Sequence, residues 1–245
     1  MAIKWCGIDF GQCLMEPTGL RTYLVVGDVC KEMCMPENIK SSVRRFRILA
    51  EACGGHSKLK EAHRDKIKEY VFGGDDRAME IFSNNERKYL SVGNGAMEAF
   101  EFLRKEGIEI NIVAELKKTL GKVGNDIISK FVTSRHLVEY FHCMYTPQGK
   151  VDFHTGERDD RYVSKTKESG KMYDQLIEEL EQRGIAPNEM VMVGDKIATD
   201  IVPARQRGIR TVQYTGYVDM GDSEADFKVR DFHGLKEVIQ ELQTQ

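Results

Sequence analysis

The chain has 245 residues, 41% of them hydrophobic and 31% charged, with a formal net charge of −3. That is enough chain for one large domain, or for a core domain with a smaller insert. The charge balance offers nucleic acid no global basic field, and no run of about 18 apolar residues exists that could span a membrane.

Taken in chain order, the sequence opens on KWCGIDF, a short apolar run that reads as a strand rather than as a signal peptide. Residues 17–91 then break the strand rhythm. They read as helices only: LRTYLVVGDVCKEMC, ENIKSSVRRFRILAEACG, KLKEAHRDKIKEYVFG and DDRAMEIFSNNERKYL. The RRFRI run within them is read as a solvated helix face. Beyond them AMEAFEFLRKEG has apolar residues near a 3.6 spacing and closes on Gly107, followed by the strand EINIVAE. A helix from near Gly124 leads to the strand EYFHCMY, and TPQGKVDFHTGERDD reads as a β-hairpin excursion or a loop. The helix KMYDQLIEELEQRG precedes the strand MVMVGD; the strands RTVQYTG and ADFKV and the helix HGLKEVIQELQ complete the chain. This alternation predicts an α/β fold, a mainly parallel sheet covered on both faces, interrupted after its first strand by an all-helical insert. The six cysteines are scattered, which suits reduced thiols in a cytoplasmic protein better than a disulfide framework.

Sites in open parallel sheets form at the carboxyl ends of the strands. Three such ends carry chemistry: Asp9; Ala114 with Glu115; and Gly194 with Asp195. An aspartate at the end of a buried strand is costly unless its charge is used or neutralised. If the first and MVMVGD strands are neighbours, Asp9 and Asp195 converge, and a hard divalent cation such as Mg²⁺ would relieve their repulsion. Asp200, five residues on, is placed to hold the loop or to add to the metal site.

These residues carry a resemblance. MVMVGDKIATDIVPARQRGIRTV resembles the fourth motif of the haloacid dehalogenase (HAD) superfamily, and GKMYDQLIEELEQRGIAPNEM resembles the lysine-bearing helix of its third. Lys171 is the best match for the family lysine, with Lys165 and Lys167 as alternatives. AMEAFEFLRKEGIEINIVAE is similar to the approach to the second motif, and the helical insert is similar to the family's cap. The resemblance implies a Rossmann-like three-layer sandwich, a HAD-like core of residues 1–16 plus 92–245, with an all-helical cap of residues 17–91. It implies Asp9 as a nucleophile that forms a covalent aspartyl intermediate, and Lys171 as its cationic partner. It also implies Mg²⁺ held by Asp9, the Gly11 carbonyl and Asp195, with Asp200 in support, and a small-molecule substrate facing Gly11, Gln12, Ala114 and Glu115. Scattered apolar residues of the insert could support a homodimer.

The sequence departs from the family pattern D-x-D-G-T at its first motif, which here is DFGQC. The second aspartate, the acid that protonates a leaving alcohol, is Gly11; the usual glycine is Gln12 and the usual threonine Cys13. The second-motif hydroxyl is replaced by Ala114, with the carboxylate of Glu115 beside it. The expectation is a hydrolase of phosphorylated or phosphonate small molecules with good leaving groups. A 2-haloacid dehalogenase is one alternative, although that branch typically lacks the Gly-Asp pair. A fold that has lost turnover and binds a ligand is another. The L-K-x-x-H pattern of the phosphonatase branch is matched by LKEAH, Leu59 to His63, where Lys60 would be the Schiff-base lysine; a solvated helix lysine is the plainer reading.

Overall fold

The computed structural model describes residues 2–15, 19–86, 88–116 and 118–244. The chain divides into two compact units, Pro17–Ser91 and the combination of Met1–Glu16 with Val92–Gln245. The boundary expected at residues 16 and 17 lies outside the described residues.

The first unit is helical. It comprises α1 (Gly19–Glu32), α2 (Ile39–Ala52), α3 (His56–Ala62), the single turn α4 (Arg64–Lys66), which runs on through a wide turn to Val71, and α5 (Asp76–Asn85). Apolar side chains at helical spacing meet in one core that includes Val25, Val29, Phe46, Leu59, Ile67 and Phe82. Its polar groups are satisfied locally: the buried Asp28 carboxylate accepts hydrogen bonds from Lys88 Nζ at 2.7 Å and Tyr89 Oη at 2.5 Å. Burial alone would raise the Asp28 pKa, but these two bonds outweigh it and hold the group below its ordinary value.

The second unit is built on one eight-stranded sheet. Its strands are β1 (Trp5–Ile8), β2 (Glu109–Val113), β3 (Phe141–Thr146), β4 (Gly149–Asp152), β5 (Arg158–Asp159), β6 (Met190–Gly194), β7 (Arg210–Tyr214) and β8 (Phe227–Val229), in the order β5-β4-β3-β2-β1-β6-β7-β8. The pairings from β3 across to β8 are parallel, and β4 and β5 extend one edge antiparallel, so the expected hairpin excursion belongs to the sheet. Among the described residues the α-helices of this unit are α6 (Ala96–Lys105), α7 (Ile127–Ser134), α8 (Lys171–Glu181), α9 (Val202–Arg205) and α10 (Phe232–Thr244).

Alternation along the strands sorts the core. Trp5, Val113, Tyr145, Met190 and Met192 pack with Met172, Tyr173, Leu176 and Leu180 of α8. Phe100 of α6 meets Phe141 and Phe232 edge to face at centroid separations of 5.1 and 5.6 Å. The β2–β3 register shifts between Ile110↔Phe141 and Ile112↔Met144, which puts one extra residue into β3 and flips its facing pattern. The buried Asn111 supplies the partner that the interrupted ladder lacks, its Oδ1 accepting from the Cys143 N–H at 3.0 Å. Among the described residues no helix is long and apolar enough to cross a membrane.

Candidate active site

Strands β1 and β6 are parallel neighbours in the register Ile8↔Val193, so the residues that leave their carboxyl ends emerge side by side. Asp9 follows β1 immediately, its N–H donating to Val193 O at 2.8 Å, and Asp195 follows β6. Asp200 sits in the wide helical turn Ile197–Ile201 that leads into α9. Carboxylate oxygens of Asp9, Asp195 and Asp200 all lie within 4.8 Å of one another, and all three residues are buried. Gly194 makes the approach of Asp200 feasible: a Cβ at this position would lie 2.4 Å from the Asp200 carboxyl group.

Among the described residues one ammonium reaches this acidic cluster. Lys167 is 2% exposed and spends all three of its donors, on Asp9 Oδ1 at 2.5 Å, Asp200 Oδ1 at 2.5 Å and Val113 O at 3.1 Å. Burial opposes its charge, but Asp200 and Asp9 overcome that and hold its pKa well above the ordinary lysine value. Lys171, the expected partner of Asp9, is exposed at the first position of α8. Gly170, in the left-handed conformation at φ 74°, starts the helix there, and the inward face of α8 is given to Met172, Tyr173 and Leu176. The loop before Gly170 instead carries Lys167 inward, so the geometry selects this alternative over Lys171. Lys165 is directed to the side-chain oxygen of Gln175 on α8.

Asp200 is fully engaged. Its second oxygen accepts from the Lys196 N–H at 3.0 Å and its first from Thr199 Oγ1 at 3.2 Å, so it is fitted to position Lys167. Asp9 Oδ2 and Asp195 Oδ1, by contrast, are buried with no hydrogen-bond partner among the described residues. Two orphaned carboxylate oxygens in one acidic cluster are expensive, and they are the hard donors that a small divalent cation takes. The residues present therefore fit the metal that the sequence implied. The same crowding raises the Asp195 pKa to about 7, through burial first and then the Asp9 charge, with Lys196 pulling the other way. It also pushes the buried Cys13 thiol well up, through burial and then Asp9, so Cys13 is a packing residue and not a thiolate.

The departures from the family motifs have a clear geometry. Gly11 is half-buried, and a Cβ there would meet nothing within 4 Å, so the position of the missing acid is open space. Gln12 keeps the left-handed backbone of the glycine it replaces, at φ 65°. For a residue with a Cβ this costs about 1–2 kcal/mol, offset in part by the larger entropy that glycine loses on folding. Gln12→Gly is accordingly expected to raise stability by about 0.5–1 kcal/mol in urea melts; an unchanged or lower midpoint would mean that the Gln12 side chain itself holds the turn. Ala114 is buried, its N–H bonded to Tyr145 O at 3.0 Å, and offers no hydroxyl. The Glu115 carboxylate accepts a hydrogen bond from the Lys167 backbone N–H. In the helical unit Lys60 pairs with Glu86 at 3.5 Å and is only partly exposed, an ion-paired rather than a freely solvated helix lysine.

Residues 166–236, which include Lys167, Asp195 and Asp200, match the family model described as HAD-hydrolase-like. No curated protein matches the sequence. Among solved structures, the HAD-hydrolase YfnB from Bacillus subtilis, bound to magnesium, aligns with a TM-score of 0.58 at 12% identity, covering 98% of this chain and 99% of its own. The HAD phosphatase from Thermococcus onnurineus aligns at 0.54 and 20% identity over 97% and 98% of the two chains. The 2-haloacid dehalogenase from Pseudomonas syringae aligns at 0.53 and 17% over 98% and 99%. Likeness at these identities establishes a shared fold.

Proposed function

We propose, from the premise that the chain belongs to the HAD superfamily of hydrolases, that it is a Mg²⁺-dependent phosphohydrolase whose nucleophile is Asp9. The observation that carries this reading is the pair of orphaned buried oxygens, Asp9 Oδ2 and Asp195 Oδ1, beside a lysine that fixes the other oxygen of Asp9. Mg²⁺ would be held by Asp9 and Asp195, with the Gly11 carbonyl in the adjoining turn; when bound it supplies positive charge to the oxygens of the transferred group.

In the first half-reaction an Asp9 carboxylate oxygen bonds to phosphorus while the bond from phosphorus to the leaving group breaks, its electron pair departing with that group. Lys167 orients Asp9 and places a full positive charge where negative charge builds up. Asp200 holds Lys167 in that pose. Water then attacks the aspartyl phosphate, freeing orthophosphate and restoring the carboxylate. Nothing at Gly11 protonates a departing alkoxide, which forfeits a factor of about 10² to 10⁴ for a poor leaving group. The substrate class is therefore a phosphorylated small molecule whose leaving group is stable as an anion, an acyl phosphate before an alkyl ester. The three-carboxylate cluster argues against halide displacement, which needs no metal.

The test is a phosphate-release screen over acyl phosphates, phosphonates and phosphoesters, with and without Mg²⁺, beside a 2-haloacid panel. Wild type should release phosphate only with Mg²⁺ and should form a beryllium fluoride adduct on Asp9. Asp9→Asn should lose at least about 10³-fold in turnover, together with the adduct. Metal-independent halide release, or full activity in Asp9→Asn, would overturn the assignment.

A further inference from the structure

The carboxylate of Glu115 stands beside the position where the family resemblance implies a phosphate-binding hydroxyl, and it does not stand free. It accepts the backbone N–H of Lys167, the residue whose side chain crosses to Asp9. Two residues earlier on the same strand end, the Val113 carbonyl accepts the Lys167 ammonium at 3.1 Å. The end of β2 thus grips Lys167 twice, at its amide and at its Nζ, and β2 is itself locked between β1 and β3.

The remaining ties of the loop that carries Lys167 are short-range or go elsewhere. Ser164 N bonds to Pro147 O, Lys165 N to Tyr162 O and Gly170 N to Lys167 O, while the Thr166 and Ser169 hydroxyls bond to each other. A lysine has four rotatable side-chain bonds and would otherwise lose much of its aim. An anchor at the base of the side chain fixes the arc that its ammonium can sweep. Catalysis by a placed charge depends on such preorganisation.

We infer that Glu115 is a positioning residue: it replaces no lost phosphate ligand, but ties the Lys167 loop to the sheet so that the ammonium stays on Asp9 and Asp200. The inference rests on the phosphohydrolase reading for its kinetic consequence, and on the hydrogen bond alone for its structural one. Glutamine keeps an acceptor oxygen in the same place and alanine does not. Glu115→Ala should therefore lower kcat by about 10- to 100-fold with KM little changed, and Glu115→Gln should restore most of it.

The experiment pairs these kinetics with acetylation of lysines by acetic anhydride in the folded protein, read by peptide mass spectrometry with Mg²⁺ present. Lys167 should be protected in wild type and in Glu115→Gln, and should label at least about tenfold faster in Glu115→Ala, because labelling follows the population of open states. Equal protection in all three proteins overturns the inference. So does loss of turnover in Glu115→Gln with accumulation of a hydroxylamine-sensitive, alkali-labile phosphoprotein, which would make Glu115 the base that activates water. If wild type is inactive on every substrate, the phosphohydrolase reading fails on its own, and the labelling still decides the role of Glu115.

Discussion

Lys167→Met is expected to abolish turnover and to destabilise the fold by about 3–5 kcal/mol at neutral pH, the usual cost of removing one partner from a buried ionic group. The lysine is the only cation in hydrogen-bonding contact with Asp9 and Asp200 among the described residues, and both carboxylates are buried. Its removal leaves two buried carboxylates without their cation, and it strips positive charge from the point of attack. Lys171→Met should change neither quantity, because Lys171 is exposed on α8 and stability effects at such positions stay within about 0.5 kcal/mol. Urea melts and steady-state kinetics on the two variants separate the candidates directly. Full activity in Lys167→Met with loss in Lys171→Met would make Lys171 the lysine that serves Asp9. Mg²⁺ should rescue part of the stability of Lys167→Met, since it offers the stranded carboxylates another cation.

Mg²⁺ should stabilise the protein strongly at pH 8 and hardly at all near pH 5. Asp195 has its pKa raised to about 7 in the metal-free fold, by burial and by Asp9. The unfolded chain releases that proton at an ordinary carboxylate pKa of about 3.9. Between these values the folded state holds a proton that the unfolded state has lost. The contribution of Asp195 to the stability of the metal-free protein is therefore greatest at the acid end of this window, falls as pH rises through it, and levels off above about 7. The metal requires the ionised carboxylate, so its affinity should fall about tenfold for each pH unit below 7. Thermal melts with and without Mg²⁺ across pH 5 to 8 give the curve. Asp195→Asn should flatten it: the metal-free protein should melt higher than wild type at pH 8, and Mg²⁺ should no longer shift the midpoint. A Mg²⁺ shift equal at pH 5 and pH 8, or one retained in Asp195→Asn, would remove Asp195 from the metal site.

The sheet was legible because its strands are short apolar runs between amphipathic helices, and the site because Asp195 ends one of those strands with Asp200 five residues on. The convergence of Asp9 with them follows from one adjacency, β1 beside β6, that the alternation makes natural. The choice of lysine was not legible to the same degree. Lys165, Lys167 and Lys171 lie within seven residues, and only the left-handed Gly170 and the outward start of α8 decide which one turns inward. Nor does residue pattern reveal the extra residue in β3, since EYFHCMY reads as an unbroken strand and the repair lies in the distant side chain of Asn111. The charge on Glu115 read as a feature facing substrate, because a bond to a backbone amide across the fold leaves no mark on local sequence. The left-handed turn at Gln12 could be suspected only from the glycine expected there.

The order of the strands has a consequence for how the molecule comes into being. Strand β1 is central, yet its two partners β2 and β6 lie roughly one hundred and nearly two hundred residues downstream, separations that slow folding. A chain leaving the ribosome must carry the apolar WCGI segment unpaired while the whole helical unit is synthesised, and that unit has a core of its own to form meanwhile. Asp9 acquires its neighbour Asp195 only when β6 pairs with β1, so the acidic cluster cannot form before that long-range pairing is made. The energetic cost of crowding the carboxylates is thus met only once that pairing brings the two strand ends together.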